Sequence, residues 1–130
     1  HYAELCEHGI LMAIELDQKE RAEQIFARCE ALPNHTWTRA PFFRALLSWH
    51  RGDVALARET WLTDARDKQE GKALDLEKLY EAVEWLVRSA PASTERIEVA
   101  EELAALLREE AIRQGARDVV VDLELLEPFE

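Results

Sequence analysis

Asp17-Gln18-Lys19-Glu20-Arg21-Ala22-Glu23-Gln24-Ile25-Phe26 and Gly52-Asp53-Val54-Ala55-Leu56-Ala57-Arg58-Glu59-Thr60-Trp61 follow one plan. Each opens on a polar turn, sets an alanine five residues on, and follows it with a large aromatic one helical turn later. The alanine lets one helix backbone approach another closely, and the aromatic fills the space beside it. The two copies stand thirty-five residues apart, a period that predicts stacked helical hairpins.

Apolar spacing extends the pattern in both directions. A first helix is predicted over about residues 2–16, with Leu5, Gly9, Met12, Ala13 and Leu16 as its core stripe. A second carries Ala22, Ile25, Phe26 and Cys29 on one face and stops at Pro33. Pro41 suits the first turn of a third helix, where its missing N–H costs nothing. That helix ends at Gly52, and Asp53 is placed to cap a fourth reaching about Lys68. A fifth is predicted over about 75–89 and a sixth, capped by Ser93 or Thr94, over about 94–114. The sixth has an apolar arc through Ile97, Ala100, Leu103, Ala104, Leu106, Leu107 and Ala111, so wide that the helix is either buried from two sides or closes the end of the stack and also meets a partner. Residues 118–126 are β-branched at first and then alternate, so propensity predicts an extended segment docked on the sixth helix or on the ridge of Phe42, Leu46 and Trp49, in its own chain or a neighbour's.

The run Gly52-Asp53-x-x-x-Ala57-x-x-x-Trp61 resembles the turn and second helix of a tetratricopeptide repeat, with Ala45 in the small position of the preceding helix. The earlier copy departs from that pattern where Asp17 replaces the turn glycine, and helices five and six do not match it. The resemblance covers residues 2–68 and implies an array of helical hairpins whose first helices line a groove for a peptide or partner helix. Carried over to the second hairpin, the groove positions are Arg39, Phe42, Leu46, Trp49 and His50, and Trp37 in the connector joins them as an interface aromatic. Phe42, Leu46 and Trp49 form a ridge distinct from the one through Phe43 and Leu47; either that ridge is a groove or the fifth helix covers it as core. Phe42 and Leu46 stand where a clamp for acidic tails would carry Lys and Asn, which disfavours such a clamp. The expected fold is therefore all-α: a TPR-like stack of about six helices over 1–115, with an extended tail over 116–130. The expected role is a protein–protein interaction module, part of a larger regulatory, scaffold or chaperone protein.

Composition agrees with a soluble helical domain: 48% hydrophobic, 33% charged, and only four glycines and four prolines in 130 residues. Twenty-seven acidic against sixteen basic residues give a net charge of −11, which repels nucleic acid and anionic membranes and favours a basic or uncharged protein partner. No apolar run approaches the length of a membrane span. Cys6 and Cys29 fall on the first two helices, where an antiparallel hairpin allows contact, but a cytoplasmic setting predicts free buried thiols. Arginine and alanine usage points to a bacterial source, and a chain opening at His1 is expected to be a fragment or processed form.

Catalytic signatures are sparse. Glu77, Glu81 and Glu84 share one ridge and Glu98, Glu102 and Glu109 another, which raises the alternative of an all-helical, metal-dependent nucleotide pyrophosphatase. Each acidic ridge sits well away from its helix's apolar stripe, so both are expected to face solvent. His8, His35 and His50 are scattered, and no nucleophile elbow, P-loop or dinucleotide glycine pattern is present. The sequence thus predicts neither cofactor, metal nor catalytic residue.

Overall fold

The computed structural model describes residues 2–32, 37–66, 74–89 and 92–126. They form α1 (Tyr2–Glu15), α2 (Lys19–Glu30), α3 (Ala40–Arg51), α4 (Val54–Ala65), α5 (Leu76–Arg88), α6 (Thr94–Gln114) and α7 (Arg117–Leu126), with no strand among them. The expected breaks at Pro33, residues 69–73 and Pro91 lie outside the described residues. The chain divides within α4 into two compact units, His1–Thr60 and Trp61–Glu130.

In the first unit α1 packs antiparallel on α2, α3 lies against α2, and α3 also touches α1. Ala22 and Ala57 are both wholly buried, as the close approach of helices requires, and Phe26 is buried one turn after Ala22 on α2. The two turns are alike in backbone as well as in sequence. Gly52 ends α3 at φ +99°, and Asp17, at the equivalent position, takes φ +56°. Both are left-handed, a conformation glycine adopts freely and aspartate tolerates better than most residues. Asp53 caps α4 as its position predicts, its carboxylate accepting from Leu56 N at 3.3 Å.

Two expectations for this unit are corrected. Cys6 and Cys29 form a disulfide rather than free thiols, because the antiparallel pairing of α1 and α2 brings their Cα atoms to 6.1 Å. The core stripe of α1 is also rotated from the one predicted. Cys6, Ile10 and Ala13 are buried, while Leu5, Met12 and Leu16 are exposed. A helix that is apolar on most of its circumference fits either register by sequence, and α2 selects one.

The second unit holds α5, α6 and α7 in mutual contact. Leu79, Ala82, Val83 and Leu86 of α5 and Val99, Ala100, Leu103 and Leu107 of α6 form its core, each such large side chain contributing about 1.5–3 kcal/mol on burial. Ser93 caps α6, accepting from Arg96 N at 3.2 Å, and Gly115 closes it in the left-handed region at φ +72°. Asp64 of the α4 end pairs with Lys78 at 3.2 Å, and Trp61 stands 6.4 Å from Trp85 between ring centres.

The extended tail is the third correction. Residues 117–126 are a seventh helix, α7, packed on α6 and α5. A lone strand would leave its backbone N–H and C=O groups without partners, whereas a helix satisfies them internally. At helical rather than alternating period, Leu123 becomes the buried residue, flanked by half-buried Val119, Val120 and Leu126. Of the two docking surfaces expected, the tail takes α6, and α6 is covered by both α5 and α7, the first of the two outcomes its wide apolar arc allowed.

Candidate functional site

The residues predicted to line a groove separate into two groups. Phe42, Leu46 and Trp49 are buried, and so is Trp37 of the connector. Trp37 sits between Phe26 and Phe43, its ring centre 5.3 and 5.7 Å from theirs, and its indole N–H donates to Glu7 of α1 at 3.0 Å. Those four side chains lie inside the folded chain, and the α3 ridge is covered.

Arg39 and His50 keep solvent-accessible atoms. Arg39 donates to the second oxygen of Glu7 and rests on the rings of Phe42 and Phe43, 5.4 and 5.2 Å from their centres. It closes the Trp37 cluster from outside. His50 Nε2 lies 3.5 Å from the Asp17 carboxylate, and its ring borders a shallow pocket lined by Lys19, Glu23, Leu47 and Arg51. Arg51 is tied to Glu23 at 2.6 Å across that pocket. The six predicted residues therefore do not converge on one open surface.

The open apolar surface lies on α1 instead. Tyr2, Leu5, Met12 and Leu16 are 62%, 69%, 44% and 61% exposed. Their spacing puts them, with Gly9, on one row facing away from α3. A Cβ at Gly9 would meet Ile25 of α2 at 3.5 Å, so this row continues across the hairpin seam onto half-buried Ile25. A second, smaller exposed pair, Val121 and Leu125, stands on α7 beside Asp118 and Asp122. The α1 row has a sequence signal that points to it. Two apolar ridges on one helix require two covering surfaces, and α1 carries both Cys6-Ile10-Ala13 and Leu5-Met12-Leu16.

The acidic ridges form no constellation. Glu77 and Glu98 are exposed, Glu84 pairs with Arg88 at 3.2 Å, and Glu109 lies 3.9 Å from Arg113. Among the described residues, no group of three or more His, Cys, Asp and Glu side chains is arranged to hold a metal ion. Nor is any helix of the described residues long and apolar enough to cross a membrane.

The chain matches no protein-family model, and comparison with curated proteins and with solved structures yields no match.

Proposed function

We propose that this chain is a helical protein-interaction module of TPR-like hairpins, and that its working surface is the outer face of the α1–α2 hairpin. The observation that carries this reading is the exposed row Tyr2-Leu5-Met12-Leu16. Scattered surface leucines are ordinary, but a contiguous row on one helix is the mark of a surface that associates. The repeat reading is supported by the matching left-handed turns at Asp17 and Gly52 and by the equal burial of Ala22 and Ala57. Its partner is a protein helix rather than nucleic acid or an anionic membrane, in keeping with the net charge of −11. The Cys6–Cys29 disulfide favours an oxidising compartment over the cytoplasm that the sequence alone suggested.

A photo-crosslinking amino acid at Met12, introduced in the cells that make the protein, tests this reading. Discrete protein adducts are expected from Met12 and not from Glu20 on the exposed side of α2. Absence of any protein adduct at Met12 overturns the reading.

A further inference from the structure

The charges around the first unit divide according to the face they border. On the α3 side they are satisfied within the chain: Glu7 with Arg39, Glu23 with Arg51 and Glu30 with Arg44. Around the apolar row they are not. Glu4 and Glu15 of α1 and Arg21 and Arg28 of α2 are exposed and have no ion-pair partner among the described residues.

Their positions are ordered. Helical spacing sets Glu4 and Glu15 on the edge of the row remote from α2. Glu23 and Glu30 turn toward α3, so Arg21 and Arg28, on the opposite side of α2, border the row at its other edge. The face thus has an acidic edge, an apolar centre and a basic edge. Levels along the hairpin also correspond. Cys6 is level with Cys29 through the disulfide, which puts Arg21 near the level of Glu15 at one end, and Arg28 nearer that of Glu4 at the other.

We infer that this face is an interface between two copies of the chain, related by a two-fold axis parallel to α1 and over the seam between α1 and α2. The inference rests on the reading of the face as an interaction surface. Rotation about an axis along the helix exchanges the two edges, so the acidic edge of each copy meets the basic edge of the other. Glu15 then faces Arg21 of the second copy, Glu4 faces Arg28, and the apolar row on α1 of each copy packs over α2 of the other. An axis across the helix would instead set Glu4 and Glu15 against glutamates of the second copy, which like-charge repulsion opposes. A basic amphipathic helix from another protein would satisfy Glu4 and Glu15 but would meet Arg21 and Arg28. The self-complementary pattern is that of an isologous contact, in which one patch serves both partners.

Sedimentation equilibrium of the purified, oxidised chain tests the inference, with circular dichroism to verify that each variant folds. The wild type is expected to show a monomer–dimer equilibrium, and Leu5→Glu to abolish it. E4R/E15R alone and R21E/R28E alone should each weaken the dimer roughly tenfold or more. An equimolar mixture of those two variants should form a heterodimer, since every facing pair is again of opposite sign. A wild-type chain that stays monomeric to its solubility limit overturns the inference. So does a dimer indifferent to Leu5→Glu, or a failure of the mixed variants to pair. A monomeric chain whose Met12 crosslinker still captures a different protein leaves the interaction module standing and removes only the second copy.

Discussion

Glu7 of α1 holds Trp37 from thirty residues away, accepting the indole N–H at 3.0 Å on one carboxylate oxygen while Arg39 occupies the other. One side chain thereby fixes a buried aromatic and caps the cluster of Phe26, Trp37 and Phe43 with a cation. Glu7→Ala would leave the indole N–H without its acceptor in a buried setting, a loss of about 1–3 kcal/mol. Thermal melts should report it. Glu7→Gln, which keeps an acceptor for Trp37 but drops the charge facing Arg39, should cost less. Equal losses in the two variants would count against the hydrogen bond as the source.

The disulfide joins α1 to α2 across a sequence separation of 23. Closing a loop of that length restricts the unfolded chain by about 3 kcal/mol in the loop-entropy treatment. C6A/C29A, or treatment with a strong dithiol reductant, is expected to lower the melting temperature of the first unit accordingly. The exposed row on α1 should lose its fixed orientation at the same time, seen as faster hydrogen exchange in α1 than in α3. A melt identical under oxidising and reducing conditions would contradict this.

Asp17 and Gly52 occupy equivalent left-handed turns with different residues. Gly52→Ala should destabilise by about 1 kcal/mol or more, since a Cβ is disfavoured at φ +99° even where there is space for it. Asp17→Gly relieves the same penalty at φ +56° and should be neutral or slightly stabilising once the added freedom of the unfolded chain is counted. Denaturant titration of the pair would measure the contrast. Loss of stability in both variants would indicate that the Asp17 carboxylate, 3.5 Å from His50, matters more than its backbone.

Ala22 and Ala57 are fully buried, and Leu123 is the buried residue of α7. Replacing either alanine with leucine overpacks a close helix contact by about 1–3 kcal/mol. Leu123→Ala removes the anchor of α7 and should cost about 2–5 kcal/mol where the site cannot collapse. Hydrogen exchange would then rise in α7 and on the side of α6 that it covers, while α1–α3 stay protected. Unchanged protection in α7 would show that Leu123 is not what holds it.

Elements whose causes are local can be read directly from the chain. Pro41, Gly52, Asp53, Asp75, Ser93 and Gly115 mark helix ends because caps and left-handed turns depend on a residue and its near neighbours. The buried alanines of the two matched copies were legible for the same reason, since closeness between helices leaves a small residue at a fixed distance from a turn. The remaining features depend on long-range packing. Cys6 and Cys29 are bonded because α1 and α2 run antiparallel at one particular register, which no spacing in the chain specifies. Residues 117–126 are helical because α5 and α6 offer a surface to Leu123 and no strand among the described residues offers a ladder, so packing overrides β-branched propensity. On α1 and α3 more than one apolar ridge competes for the core. Burial of Phe42, Leu46 and Trp49 and exposure of Leu5, Met12 and Leu16 followed from which neighbour arrived, a long-range outcome that helical periodicity cannot encode.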